Sequence, residues 1–417
     1  MGDALKQMTL GEDFPEIREA VGRICDDFPG EYWREMDAKS AYPEAFVSIL
    51  TESGWLSALI PESYGGSGLP LRAAAVILET IHASGGSAAA CHAQMYTMGT
   101  VLRHGSDEQK QKYLPQIASG DLRLQAFGVT EPTSGTDTTS LRTRAVRDGD
   151  HYVVNGQKIW TSRALYSDLM LLLARTTPKE EVSRPTEGLS VFLIDLRELR
   201  GNGVEIRPIE TMINHNTTEV FFSDAKIPTD TLIGEEGRGF RYILDGMNAE
   251  RTLIAGESLG DARYFLRRAS DYANEREIFG GPIGRNQGIQ FPWPAFTRRR
   301  RPRNLWPARP QRCLMTANPA VLRPTWLNYC VVMRPGMQLR LVCRLLAVLL
   351  LRESTILNAS GARQGFTSRH RCRPTWFWLI LVSMSWDCPS PIERGTDRSK
   401  AFVNSVSEIV THSRPTG

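Results

Sequence analysis

The spacing of hydrophobic and polar residues divides the chain into segments of different character. From about Asp13 to Ser119 apolar residues recur at helical spacing, as in the amphipathic run Glu44 to Gly54. From about Leu122 they fall into short β-rich runs, and helical spacing returns from Gly239 through Ala273. The β-rich runs cover residues 151–154, 169–174, 189–194 and 219–222. The pattern predicts an α+β fold: an N-terminal α-helical domain, a middle antiparallel β-barrel or sandwich, and a C-terminal α-helical bundle.

Two local signals refine this picture. Asn155-Gly156 lies between two β-rich runs and predicts a hairpin turn there. The segment from Gln287 to Phe291 has the pattern of a new helix, but eight prolines follow between Pro292 and Pro335. Because a proline inside a helix costs about 3 kcal/mol, the predicted bundle does not continue through them.

These changes of pattern predict the domain limits. We expect an N-terminal helical domain over residues 1–121 and a middle β domain over 122–235. Residues 236–292 then begin the C-terminal helical domain. We expect residues 293–392 to be a frame-slipped remainder of that domain, and 393–417 to be a read-through tail.

The net charge of +4 is unevenly distributed. Residues 1–290 carry 30 Lys+Arg against 41 Asp+Glu, whereas residues 291–390 carry 16 Arg, no Lys, one Asp and one Glu. The second block also holds five of the seven cysteines and six of the nine tryptophans. This usage is not typical of a polybasic nucleic-acid-binding segment, so nucleic-acid binding is not predicted. The cysteines form no C-x-x-C pair, and no metal site is predicted.

Several motifs in the first 290 residues resemble those of the FAD-dependent acyl-CoA dehydrogenases. The most recognisable are AFGVTEPTSGTD at residues 126–137 and NGQKIWTS at residues 155–162. They are followed by GMNAER at 246–251 and by NEREIFG at 274–280 with Gln287. The resemblance covers about 70% of the chain. It implies oxidation of an acyl-CoA thioester to the 2-enoyl-CoA, with FAD as cofactor.

The remainder regains the resemblance when it is read one base earlier. The codons of residues 353–368 then permit REYDIERKWRETRLYQ, and those of 374–389 permit TNLVLAYIGEHVLGLP. Both strings resemble the closing helices of the family, and the codons of Ile392 and Glu393 can overlap a stop in that frame. We therefore expect residues from about 293 onward to be translated out of frame.

The resemblance also implies a catalytic base, which must remove the α-proton of the thioester. Many members carry the base in a C-terminal Y-E-G-T stretch, but the recovered frame offers no acid there. Others carry it in a G-x-x-x-E-R helix, which Glu250 and Arg251 match. We expect Glu250 to be the base, with a pKa raised by desolvation, and Arg251 to contact substrate. The alternative is a helix-surface pair with no catalytic role.

The remaining site residues are assigned from the same motifs. The resemblance implies flavin contacts from Phe127, Val129, Thr130, Trp160 and Ser162. Thr136 stands where the family commonly has a serine that contacts the CoA moiety.

Two further residues are implied to reach a neighbouring subunit. Arg276 and Gln287 resemble the pair that contacts the FAD of the adjacent subunit, so a homodimer or homotetramer is expected. The electron acceptor would be an electron-transfer flavoprotein or oxygen. The first residues resemble neither a signal peptide nor a transit peptide, so we expect a soluble intracellular protein in the cytoplasm, mitochondrion or peroxisome. An oxidase, an enzyme of secondary-metabolite acyl chains, and the inactive product of a damaged gene remain alternatives.

Overall fold

The computed structural model describes residues 14–211 and 214–290. The expected frame-slipped segment and read-through tail lie outside these residues. The helices are α1 (Pro15–Asp26), α2 (Gly30–Ala38), α3 (Glu44–Glu52), α4 (Leu71–Ser84), α5 (Ala89–His104), α6 (Asp107–Ser119), α7 (Leu196–Leu199), α8 (Gly239–Glu275) and α9 (Gln287–Gln290). The strands are β1 (Leu124–Gly128), β2 (Arg144–Asp148), β3 (His151–Ser162), β4 (Leu169–Arg175), β5 (Leu189–Asp195), β6 (Val204–Pro208), β7 (Thr217–Pro228), β8 (Glu277–Ile278) and β9 (Gly281–Pro282).

This order confirms the predicted α+β class. Helices occupy the described residues up to Ser119, a sheet follows, and the long helix α8 covers the second helical pattern. No helix in the described part of the chain combines the length and the apolar character needed to cross a lipid bilayer.

The sheet has seven strands in the order β1-β4-β2-β3-β7-β6, with β5 paired to β4. It is not antiparallel throughout, because β4 runs parallel to both β1 and β2. Strand β4 is buried along almost its whole length, which matches its nearly continuous apolar sequence LMLLLAR.

The predicted hairpin at Asn155-Gly156 is wrong. Strand β3 runs continuously from His151 to Ser162, and the turn that reverses the chain lies between β2 and β3, where Gly149 has φ +63°. Gly156 instead lies at a register shift between β3 and β7. A Cβ there would come within 2.5 Å of the Thr143 hydroxyl, so the glycine permits a close approach of two chain segments.

Helix α6 shows how sequence sets a helix start and anchors it to the sheet. The Ser106 hydroxyl accepts a hydrogen bond from the Gln109 N–H at 3.1 Å, and Gln109 Oε1 accepts one from the Ser106 N–H at 3.0 Å. The same Gln109 amide donates to the carbonyls of Asp230 and Leu232. One side chain therefore caps the helix and fixes it against the chain that leaves β7.

Helix α8 packs very closely on α4 through two glycines. A Cβ at Gly256 would lie 2.5 Å from the Ala75 carbonyl oxygen, and one at Gly260 would lie 2.3 Å from that of Glu79. Glu79 itself is fully buried between the guanidinium groups of Arg18 and Arg263, each at 2.8 Å. This packing holds one face of α8 against α4.

A buried ion pair joins the chain after β1 to strand β3. Lys158 Nζ lies 2.8 Å from Glu131 Oε1, and the two side chains are 0% and 3% exposed. Glu131 also accepts hydrogen bonds from the backbone N–H groups of Arg142 at 2.6 Å and Thr143 at 2.9 Å. Burial lowers the pKa of Lys158 to about 8, against the opposing effect of Glu131.

We expect Lys158→Met to lower the free energy of unfolding by about 3–5 kcal/mol, because it leaves the Glu131 carboxylate buried without its cation. Urea denaturation monitored by tryptophan fluorescence measures the change. Lys226→Met is the matched control, since Lys226 is an exposed lysine on β7. Equal midpoint shifts for the two variants would contradict this prediction.

Candidate active site

Hydrogen bonds hold the segment that follows β1 beside β3. The Lys158 ammonium donates to the Val129 carbonyl at 3.1 Å, and the Ile159 N–H donates to the Thr130 carbonyl at 2.9 Å. Val129 and Thr130 are both partly exposed. The structure therefore brings two of the predicted flavin-contacting residues next to the strand that carries a third, Trp160.

Trp160 is held in an unusual position. The pairing of β3 with β7 shifts register between Lys158 and Thr161, and Trp160 lies in this bulge with φ +60°. A left-handed conformation is strained for a non-glycine residue. The indole is 57% exposed, whereas Thr161 beside it is buried and its carbonyl accepts a hydrogen bond from Thr218. The bulge thus turns a large aromatic face out of the sheet, where it is open to a planar ligand.

The other predicted residues of the middle domain have different environments. Phe127 lies on β1 and is partly buried, and its ring meets that of Tyr96 edge to face at 5.7 Å. Ser162 ends β3, opposite Thr217 of β7. Thr136 is exposed in the loop after β1.

Glu250 lies on the face of α8 that packs against α5. Burial raises the pKa of its carboxyl and Glu257 adds to the effect, while His92 and Arg251 lower it. The charge of Glu250 also contributes to the pKa of Tyr96, which burial raises to about 12. The ring of Tyr96 in turn meets that of Phe127 on β1 edge to face. The neighbouring Arg251 donates to Asn248 Oδ1 at 2.9 Å, within the same helix.

Arg276 and Gln287 lie far from this cluster. Helix α8 separates Glu250 from Arg276 by 26 residues, which corresponds to about 39 Å at the rise of an α-helix. Arg276 directly follows the last residue of α8, and its carbonyl accepts a hydrogen bond from the Ile283 N–H at 2.7 Å. Gln287 is exposed at the start of α9. Between them Phe279 is fully exposed at the turn of the β8–β9 hairpin.

Several residues of this region were not predicted from sequence. Glu131 and Lys158 lie within the two main motifs, but nothing in the pattern showed that they pair. Tyr96 and His92 lie on α5 outside any motif, and Arg163 follows β3 directly. Only the packing of α5 on α8 and β1 brings His92 and Tyr96 towards the helix that carries the predicted base.

The three parts of the chain match three family models. The model of the acyl-CoA dehydrogenase N-terminal domain matches residues 11–121, that of the middle domain matches 126–225, and that of the C-terminal domain matches 237–295.

Individual proteins show the same relationship. The chain is 33% identical over 261 residues to cyclohex-1-ene-1-carbonyl-CoA dehydrogenase of Syntrophus aciditrophicus, a match that covers 62% of this chain and 61% of that protein. It is 32% identical over 287 residues to a probable acyl-CoA dehydrogenase of Mycobacterium tuberculosis, covering 68% and 72% of the two chains.

Among solved structures, an acyl-CoA dehydrogenase from Geobacillus kaustophilus superposes with a TM-score of 0.73 at 25% identity. That superposition covers 80% of this chain and 87% of the other. The order of helices, sheet and long helix agrees with the family models and with these relatives. The chain therefore belongs to the acyl-CoA dehydrogenase family, whose members are FAD-dependent flavoproteins.

Proposed function

We propose that this protein α,β-dehydrogenates an acyl-CoA thioester to the 2-enoyl-CoA, with Glu250 as the base that removes the α-proton. The observation that carries the proposal is the burial that raises the pKa of the Glu250 carboxyl, on a helix that packs against α5, where the ring of Tyr96 contacts Phe127 of β1. A raised pKa makes the carboxylate a stronger base, and proton removal is most effective when that pKa approaches the working pH.

The residues around Trp160 fit a flavin. The exposed indole offers a flat apolar face for a planar ring, and the partly exposed Thr130 is held beside β3 by the hydrogen bond from the Ile159 N–H to its carbonyl. We assign Phe127, Val129, Thr130, Trp160 and Ser162 to holding the ring. The bound FAD supplies the acceptor for the hydride that leaves the β-carbon of the substrate. Glu250 takes the proton, and Thr136 and Arg251 are assigned to substrate contacts.

The distance along α8 supports an oligomer. Since Arg276 is about 39 Å from Glu250, it cannot contact a flavin ring that is bound beside Glu250 in the same chain. We propose that Arg276 and Gln287 contact the FAD of a second copy in a homodimer or homotetramer. An electron-transfer flavoprotein or oxygen would reoxidise the flavin.

A second proposal concerns the residues after the match. The C-terminal family match ends at residue 295, close to where prolines and arginines become abundant. We propose that the family reading frame is lost at about residue 293, so that the 417-residue chain is an impaired form of the enzyme.

The frame proposal predicts that a chain with the frame restored after Gln290 retains FAD, whereas the 417-residue chain purifies without it. The absorbance of the two proteins near 450 nm measures the difference, and the sequence of the transcript across the codons of residues 287–302 is the independent control. A yellow, oligomeric 417-residue protein would contradict the frame slip.

For the reaction, we expect Glu250→Gln to retain FAD but to lose about 10²–10⁴-fold in the rate of flavin reduction by acyl-CoA, because an amide cannot accept the α-proton. Anaerobic stopped-flow absorbance measures the rate. In the active protein kcat/KM should fall as the pH is lowered, because only the ionised carboxylate is a base. The midpoint of this fall should lie at a pH above the ordinary Glu pKa of about 4.3.

Asp271→Asn is the control for this variant, because Asp271 is an exposed carboxylate on the same helix. Both variants are made in whichever chain, 417-residue or frame-restored, retains FAD. If Glu250→Gln reduces the flavin as fast as Asp271→Asn, another group is the base.

For the cofactor, we expect Trp160→Ala to lower the amount of FAD that copurifies while changing the unfolding midpoint little, because an indole that is 57% exposed contributes little packing. The ratio of flavin to protein absorbance and a thermal melt of the apoprotein measure the two effects. Val146→Ala removes an apolar side chain that is 53% exposed on β2 and serves as the control. Unchanged FAD content would count against a flavin contact at Trp160.

A further inference from the structure

His82 lies in the last turn of α4, and its two ring nitrogens have different partners. Nδ1 lies 2.8 Å from Asp261 Oδ1 on α8, and Nε2 accepts a hydrogen bond from the backbone N–H of Ala88 at 3.3 Å. Because a backbone N–H only donates, Nε2 is unprotonated and Nδ1 carries the ring proton. In this arrangement the imidazole is neutral and connects the loop between α4 and α5 to α8.

A carboxylate lies close to the same Nε2. Glu257 precedes Asp261 by one turn on the same face of α8, and its Oε1 is 3.9 Å from His82 Nε2. That oxygen also lies 2.9 Å from His92 Nδ1 of α5, and a carboxylate oxygen can accept more than one hydrogen bond. A protonated Nε2 therefore has a second anionic acceptor beside it.

Nε2 cannot serve both partners at once. When it is protonated it is a donor, and it no longer accepts the N–H of Ala88. To donate to Glu257 at the ordinary distance of about 2.9 Å, it has to come about 1 Å closer. Ala88 is buried, so its N–H needs another partner and the loop has to move to supply one. One proton on His82 thus selects between two arrangements of the loop.

The surroundings of His82 favour the protonated form. Burial opposes protonation, but the hydrogen bond to Asp261 and the charges of Glu257 and Asp261 outweigh it, so that the pKa of His82 is raised. The imidazole also lies at the C-terminal end of α4, where the helix dipole favours a positive charge.

Charged groups on the neighbouring elements act on this cluster as well. Burial opposes ionisation of Glu257, but the two histidines and Arg163, which follows β3, lower its pKa. Arg267 of α8 donates to a backbone carbonyl in the same turn of α4. His215, before β7, has its pKa lowered by burial, by Arg163 and, more weakly, by His82. Glu257 is therefore an ionised acceptor at neutral pH.

The loop between α4 and α5 forms part of the wall of a cavity of about 160 Å³. Gly85, Gly86 and Ser87 line the cavity, as does Trp33 of α2. Gly85 has φ +90°, and a Cβ at Gly86 would come within 3.0 Å of the Trp33 ring. The loop is thus packed closely against its neighbours, and a shift of the loop changes the shape of this cavity.

We propose that His82 is a pH-operated switch between the α4–α5 loop and α8. At higher pH the neutral ring accepts the Ala88 N–H and holds the loop. At lower pH the imidazolium donates to Asp261 and to Glu257 and releases the loop. The proton comes from water and returns to it, so no other bond forms or breaks. This proposal does not depend on the proposed dehydrogenation.

The switch has a definite sign. Because the pKa of His82 is raised in the folded chain, protonation stabilises the fold. That contribution is complete below the ordinary His pKa of about 6.5 and is lost as the pH rises through the raised value. Lowering the pH should therefore strengthen the packing of α4 on α8 while it weakens the hold on Ala88.

The test measures the Ala88 amide and the whole fold separately, in the 417-residue chain or, if only that one is folded, in the frame-restored chain. Hydrogen–deuterium exchange read by mass spectrometry with residue-level fragmentation gives the protection of the amide, corrected for the intrinsic pH dependence of exchange. We expect this protection to fall more than about tenfold between about pH 8 and pH 6. The thermal midpoint should rise over the same range by about 2 °C or more.

His82→Gln is the decisive variant. The amide oxygen of Gln accepts the Ala88 N–H at every pH, so both pH dependences should disappear. His151→Gln is the matched control and should keep both, because His151 also lies between two carboxylates, at 3.0 Å from Asp150 and 3.4 Å from Asp148, but on β3. If His82→Gln does not fold, Glu257→Gln replaces it and should move the change at Ala88 to lower pH.

Three results would overturn the switch. The first is protection of Ala88 that does not change with pH in the unmutated chain. The second is the same change in His82→Gln, or no displacement in Glu257→Gln. The third is a loss of protection accompanied by a falling thermal midpoint, because that combination indicates acid destabilisation of the whole fold. Neither readout uses flavin or substrate, so each of these results leaves the proposed function as it stands.

Discussion

The candidate site depends on the buried ion pair between Glu131 and Lys158. A lysine and a glutamate with almost no exposure are stable only when each satisfies the other and their remaining hydrogen bonds are made. Lys158 meets this condition through Glu131 and the Val129 carbonyl, and Glu131 through the N–H groups of Arg142 and Thr143. The pair therefore fixes the segment after β1 against β3, which is where Thr130 and Trp160 lie.

The second constraint is the close approach of α8 to α4 and α5. Glycines at 256 and 260 remove the side chains that would collide with backbone carbonyls of α4, so the two helices can pack with little space between them. The packing of α8 on α5 then places His92 Nδ1 2.9 Å from Glu257 Oε1, and burial raises the pKa of Glu250. The same packing that stabilises the helical part thus gives a carboxyl its raised pKa.

The sequence by itself determined the class and order of the elements, because helical and strand periodicities differ and the three patterns are long enough to be distinct. It also identified the motifs around Thr130, Trp160 and Glu250 by their resemblance to a family. The tertiary structure decided what those residues contact. Asn155-Gly156 carries the signal of a hairpin but lies at a bulge, because pairing with β7 continues across it. His92 and Tyr96 come from α5, and contacts between distant segments leave no local pattern in the sequence. Local spacing records which face of an element is apolar, whereas the pairing of buried charges is decided only when the elements pack together.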